Sequence, residues 1–256
     1  MVDIEITPEE SYPIHVISNE AAEHLYHFTK LFWKNRLDQE FTESQVEELL
    51  NDYRKSYLKP HLGPFRNAIA HQVKAGLDAM ERPSILELGC ANGPMLHFLQ
   101  ESVDLDLIRY VGIDMWQAYR DDFQRHFGEE GFVLGDVEDF INMDLADLGG
   151  EPFLVFIASK TLYMMEPGIV RKAIQKAAKL CRNIILHDII LNLTGDISSS
   201  EAVIVSYNPQ NLQFYFANPL MIFLDEAGFD IKGLWEVPHE DGKRGHAVIH
   251  AQRREG

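Results

Sequence analysis

Cysteine is scarce in this chain: Cys90 and Cys181 are the only two among 256 residues. Two thiols are too few for a disulfide framework, so a reducing, cytoplasmic setting is expected. No apolar run approaches the roughly 20 residues that a membrane helix requires. The opening Met1-Val2-Asp3-Ile4-Glu5 is acidic and lacks the basic-then-apolar order of a secretory signal. Internal repeats and low-complexity tracts are missing too. Positive charge is in short supply: 23 Lys and Arg face 40 Asp and Glu, a formal net charge of −17. A protein that grips a phosphate backbone carries a basic stripe. Here basic residues cluster only at Lys243-Arg244 and Arg253-Arg254, so neither nucleic acid nor a membrane is expected as partner. An apolar share of 46% and a charged share of 25% then leave an ordinary soluble globular protein. A chain of this length can bury one large core plus a modest appendage.

Two textures divide the chain, and they suggest a helical extension over 1–82 and a main domain over 83–256. In the first, Ala22, Leu25, Phe28, Phe32 and Trp33 recur at helical spacing. Thr42 and Ser44 are candidate caps for a second helix through Val46, Leu49, Leu50 and Tyr53. A break at Lys59-Pro60-His61-Leu62-Gly63-Pro64 precedes a third, through Ala68, Ile69, Val73 and Leu77. After Arg82-Pro83 short apolar runs alternate with helical stretches. The runs at 84–88, 110–113, 132–134, 153–158 and 183–186 lack polar alternation, as strands buried on both faces do. Helices are expected between them, for example over 94–101 and 170–180. This is an α/β pattern, a doubly wound and mostly parallel sheet. A late helix over 219–227 leads to strands over 231–237 and 247–251. The turn His239-Glu240-Asp241-Gly242 between them predicts an antiparallel hairpin at the sheet edge.

Three features carry chemistry, and they fall in order on the first three of those strands. The first is the loop Leu86-Glu87-Leu88-Gly89-Cys90-Ala91-Asn92-Gly93-Pro94. Gly89 and Gly93 permit tight turns and leave room for a ligand near the main chain. Pro94 suits the first position of a helix, whose free N–H groups can receive an anionic group. The second is Val111-Gly112-Ile113-Asp114, where a carboxylate ending a strand can accept both hydroxyls of a ribose. The third is Phe132-Val133-Leu134-Gly135-Asp136-Val137, where Asp136 can accept from an exocyclic amine of adenine. Singly each fits a nucleotide binder or a plain structural turn; their order on one sheet is the stronger signal.

With these residues the chain resembles the class I S-adenosylmethionine (SAM)-dependent methyltransferase family over about 84–251. The resemblance implies a Rossmann-like seven-stranded sheet and SAM as cofactor. Glu87 and Gly89, Cys90, Ala91, Asn92 and Gly93 look like the family's first motif, around the methionine part of SAM. Asp114 looks like the ribose acid and Asp136 like the adenine acid. Met115, Val137 and Ser159 complete the expected cofactor contacts. The stretch from Phe153 to Tyr163 resembles the motif lining the methyl-transfer site, and the final hairpin is similar to the one that separates this fold from dehydrogenases. Ala91 departs from the commonest middle glycine. The fourth strand lacks both an (Asn/Asp)-Pro-Pro-(Tyr/Phe) signature and a metal-binding Asp, so no metal is expected. A nicotinamide oxidoreductase shares the glycine loop, but its G-x-G-x-x-G pattern fails at Ala91 and Pro94. A SAM-binding module without catalysis is the third reading.

The acceptor is expected to be a small molecule methylated at oxygen, such as a sugar or ring-containing metabolite. An oxygen nucleophile benefits from a general base. His187-Asp188, at the carboxyl end of the 183–186 strand, is the candidate pair, although adjacent strand residues point to opposite faces. Lys160 and Tyr163 are candidate substrate contacts. So are Tyr207 and Tyr215, in an aromatic insertion before the last helix. Tyr57, His61 and Arg66 lead into the domain, and Arg66 is a candidate for the cofactor carboxylate.

Overall fold

The computed structural model describes residues 14–39, 42–56, 62–79, 82–191, 202–208, 213–238 and 244–254. Its main sheet has seven strands. Five run parallel: β2 (Ser84–Leu88), β3 (Arg109–Asp114), β4 (Phe132–Leu134), β5 (Phe153–Ser159) and β6 (Cys181–Leu191). Two more, β9 (Phe229–Pro238) and β10 (Arg244–Arg253), close one edge. The order is β4-β3-β2-β5-β6-β10-β9, with β10 antiparallel to both β6 and β9. The expected terminal hairpin is therefore present, while its turn, 239–243, lies outside the described residues, as do Tyr57 and His61.

Every residue of β2 is buried, as a strand covered on both faces requires. Alternation sorts the layers. Leu86, Phe156, Ala158, Ile184, Leu186 and Ile249 face one core with α1 (Asn19–Gln39), α6 (Val137–Asn142), α7 (Pro167–Leu180) and α8 (Leu220–Glu226). Ile85, Val155, Ile157, Ile185 and Val248 face the other, against α3 (Gly63–Asp78) and α4 (Pro94–Leu99). A third cluster joins Leu50 of α2 (Glu43–Ser56) to Leu96, and to Trp116, Tyr119 and Phe123 at α5 (Gln117–Phe127). Local rules explain the helix starts. Thr42 and Gln45 exchange bonds in a capping box, Thr42 N–H to Gln45 Oε1 at 2.9 Å and Gln45 N–H to Thr42 Oγ1 at 3.4 Å. Glu166 accepts the N–H groups of Gly168 and Ile169 ahead of α7.

Two expectations need amendment. The N-terminal extension is not helical alone. It begins with β1 (Ile14–Ser18), which joins β7 (Ala202–Asn208) and β8 (Gln213–Phe216) in a separate antiparallel sheet of order β1-β7-β8. The insertion read as an aromatic loop thus contains two strands. Pairing of Ile14 with Ser206 leaves no local sequence trace, which is why periodicity missed it. In addition, His187-Asp188 does not end its strand. β6 continues to Leu191, because β10 supplies a partner as far as Arg244.

Candidate functional site

The strand ends of β2, β3 and β4 converge on the glycine loop. Gly89 N–H donates to Ile113 O at 2.8 Å, which seats the loop on β3. Gly89, Ala91 and Gly93 all take left-handed backbone, with φ of 75°, 44° and 82°. Ala91 thus sits in a conformation natural to glycine, at a steric cost that glycine would not bear. The missing side chains make room for protein as well as ligand. A Cβ on Gly89 would lie 2.1 Å from Thr161 Oγ1, and one on Gly93 would lie 2.9 Å from the Phe123 and Phe127 rings. Cys90 is buried against Gly112, while Glu87 is fully buried and accepts the Tyr110 hydroxyl at 2.6 Å.

Asp114 closes this half-ring. Its Oδ2 accepts the Ala91 N–H at 2.9 Å and its Oδ1 accepts the Trp116 N–H at 3.3 Å. Burial pushes its carboxyl up to about 6, against the opposing pull of backbone bonds from Ala91, Trp116 and Met115. Past β4, Asp136 caps α6. Its Oδ1 accepts the Glu138 and Asp139 N–H groups while its own N–H donates to Asp139 Oδ2. Lys30 on α1 pairs with Asp136 at 2.7 Å and also with Glu138. Burial pushes the Asp136 carboxyl up, but the bonds from Lys30 and the helix start outweigh it and hold it below the usual range. Beside Asp136 opens a cavity of about 240 Å³, lined by Met115, Trp116, Leu134, Gly135, Asp136, Asp139 and Lys34. Its wall carries two carboxylates, Asp136 and Asp139, together with the apolar Met115 and Leu134, and Asp114 is the residue before Met115. The residues present therefore fit the nucleoside end of SAM.

A second group of side chains gathers past β5 and on β6. Ser159 Oγ and His187 Nδ1 share a hydrogen bond of 3.0 Å. The Lys160 N–H donates to His187 O at 2.7 Å, and Lys160 itself has φ of 52°. His187 is buried against Phe65 and His246, on the α3 side of the sheet. Tyr163 meets Tyr215 edge-on, with ring centroids 4.9 Å apart. Its hydroxyl is pushed well up by burial first, then by the nearby Tyr215, Asp188 and Tyr53. Asp188 therefore faces the tyrosines and His187 the opposite core. The adjacency that looked like a catalytic pair in sequence is divided between two faces. Asn218 donates to the Leu162 and Met165 carbonyls and so fixes the turn that carries Tyr163.

Most of the expected residues take defined places in these two groups. Val137 is buried in the core, so only its backbone is available near the cavity. Arg66 lies over the Phe98 ring at 5.7 Å, packed on α4. Tyr207 is a backbone position in β7 opposite Phe214. Among the described residues, no group of three or more His, Cys, Asp or Glu side chains is arranged to hold a metal ion, and no helix is long and apolar enough to cross a membrane. Sequence reasoning missed Lys30, Lys34 and Trp116. Lys30 and Lys34 are spaced i, i+4 on one helix face, a regularity that carries no functional signal until the partner acid is known.

No family model and no curated protein sequence matches the chain. Solved structures do. The N-terminal domain of EvdMO1 with SAH bound aligns at a TM-score of 0.51 and 15% identity, covering 73% of this chain and 81% of that one. The 1,6-didemethyltoxoflavin-N1-methyltransferase of Burkholderia thailandensis, with 1,6-didemethyltoxoflavin and S-adenosylhomocysteine bound, aligns at 0.50 and 15%, covering 82% and 87%. With its strand order, its antiparallel β10 and these likenesses, this chain has the Rossmann-like fold of the class I SAM-dependent methyltransferases.

Proposed function

We propose that this protein transfers a methyl group from SAM to oxygen on a small, ring-containing acceptor. One observation carries the reading: Asp136, and Met115 next to Asp114, border a single cavity, and Asp114 in turn accepts the Ala91 N–H of the glycine loop. In this assignment Asp114 holds the ribose hydroxyls, Asp136 the adenine edge, and the 87–93 stretch the methionine part. Met115, Val137, Ser159 and Arg66 stay as secondary candidates. When bound, SAM supplies a methyl group already activated on a sulfonium.

What the chain must add is alignment of the nucleophile and exclusion of water. Tyr163 and Tyr215 offer an aromatic wall for the acceptor, with Lys160 next in the chain to Ser159 and Tyr207 kept as a candidate contact on β7. The toxoflavin enzyme carries a small ring compound together with S-adenosylhomocysteine, an acceptor class that such a wall would also suit. Asp188, on the tyrosine side, is the group assigned to take the acceptor proton. His187 is assigned to hold Ser159 from the other face. The two buried, unbridged thiols Cys90 and Cys181 agree with a reducing cytoplasm.

Titration calorimetry with S-adenosylhomocysteine tests the cofactor. Binding is expected, and it should weaken in both Asp114→Ala and Asp136→Ala. Binding of NADH with none of S-adenosylhomocysteine would turn the assignment to an oxidoreductase. Binding without turnover over a broad acceptor panel would leave a non-catalytic module.

A further inference from the structure

Behind the glycine loop lies a buried ionic network whose Arg54 and Asp122 have no role in the cofactor assignment. Asn92, in the middle of the glycine loop, is fully buried. Its Nδ2 donates to Leu50 O at 3.0 Å and to Asp122 Oδ2 at 2.8 Å. A carbonyl and a carboxylate can only accept, so the orientation of the Asn92 amide is fixed. Asp122, on α5, is also fully buried and receives the fork of Arg54 from α2. Arg54 Nη2 reaches Asp122 Oδ1 at 2.6 Å and Arg54 Nε reaches Oδ2 at 3.1 Å. Arg54 Nη1 donates to Asn51 Oδ1 at 3.2 Å, which braces the guanidinium on its own helix. Two further side chains face the same carboxylate, the Arg125 guanidinium at 3.3 Å and the His126 ring at 3.8 Å.

A buried ion pair is weak evidence of stability, because desolvation offsets the attraction. Its location says more. α2 meets the glycine loop at two points, through the Leu50 carbonyl and through Arg54 by way of Asp122. The residue before Asn92 is Ala91, held in left-handed backbone with its N–H on Asp114 Oδ2. A non-glycine residue keeps that conformation only where its surroundings over-determine it. We propose that Arg54, Asp122 and Asn92 form a latch by which α2 holds the glycine loop, and with it the Ala91 N–H and the Asp114 carboxylate, in the conformation that receives the cofactor. Arg54 is a positioning residue, acting through Asp122 and Asn92. The inference rests on the methyltransferase reading for the identity of its ligand, but its mechanics do not.

The test uses the full chain with Arg54→Met, Arg54→Lys, Asn92→Ala and the Arg54→Met/Asn92→Ala double variant. The first measurement needs no ligand: amide hydrogen exchange at Ala91, followed by NMR. Arg54→Met should speed it about tenfold while β5 and β6 amides exchange as before, since only local opening changes. The second is S-adenosylhomocysteine affinity, expected to fall about tenfold in Arg54→Met and less in Arg54→Lys, which keeps the charge but loses the fork. Because both residues act through one path, the double variant should be no worse than the worse single one. Unchanged Ala91 exchange, or additive losses in the double variant, would overturn the latch. If Arg54→Met does not fold, Arg54→Lys with Asn92→Ala completes the same cycle. A wild-type protein that binds no S-adenosylhomocysteine would sink the methyltransferase reading, and the exchange rates would still decide the latch.

Discussion

The two halves of the strand-end rim are built in different ways. On the glycine-loop half, the carboxylates and the turns that aim them come from one stretch, residues 87–139, and their bonds are mostly to neighbouring backbone. On the tyrosine half, Tyr163 meets Tyr215 near Asp188, beside a small sheet that joins residues 14–18 to residues 202–208 and 213–216. The first half is a mainly local construction, braced from outside by Leu50 and Arg54 of α2 and by Lys30 of α1. The second is an assembly of distant segments. A local construction suits a constant ligand, and an assembly of distant parts lets the acceptor wall vary without disturbing it.

If that division holds, the severest loss should follow a change inside the local half. Gly89→Ala adds a Cβ against Thr161 in left-handed backbone. The strain and the overpacking together should cost about 2–5 kcal/mol in denaturant unfolding. Gly150→Ala, with φ of 80° and open space around it, should cost only the backbone part, about 1–2 kcal/mol. Equal losses would show that Thr161 is not the obstacle. Asp114 offers the next largest effect. Its folded pKa near 6 lies above the ordinary value of 3.8, so the folded protein binds this proton more tightly than the unfolded chain. Its stabilising contribution is therefore complete below about pH 4, declines as pH rises through 6, and stays level above. Asp114→Asn should flatten that slope. Affinity for S-adenosylhomocysteine should move the other way in the wild type, dropping about tenfold from pH 7 to pH 5 as the acceptor carboxylate protonates.

The tyrosine half should respond separately. Tyr215→Ala removes the edge-on partner of Tyr163, and about 0.5–1.5 kcal/mol of ring contact predicts a severalfold rise in acceptor KM. S-adenosylhomocysteine affinity should stay as it was; a matching loss there would erase the distinction between the halves. The smallest effect belongs to Lys30→Met. Its partly exposed pair with Asp136 is worth about 0.5–1 kcal/mol, so a two- to fivefold change in cofactor affinity is expected. Calorimetry at low and high salt would expose its electrostatic origin.

The same division decides what could be read from sequence. Strands 84–88 and 132–134 were legible to the residue because fully buried parallel strands leave short unbroken apolar runs. The places of Asp114 at the end of β3 and of Asp136 just past β4 were legible because they sit at fixed offsets from those runs. The β1-β7-β8 sheet was not, since its register depends on partners far apart in the chain. The opposite facing of His187 and Asp188 was legible from period-two alternation, but which face held Phe65 and which held Tyr163 was not, being a matter of packing. Nothing in the sequence alone marks Arg54 and Asp122 as partners. Only the burial of Asp122 and its bond from Arg54 reveal them.

The pairing of Ile14 with Ser206 also sets an order in time. During synthesis β1 is the first described strand to leave the ribosome, yet its partner is translated almost two hundred residues later. At about 5–20 residues per second, that is a wait of roughly ten to forty seconds. Strands β2 to β6 can pair while the chain is still growing, so the glycine-loop half is assembled before the small sheet can begin. For that interval β1 offers an unpaired edge, the kind of surface that chaperones shield and that aggregation exploits.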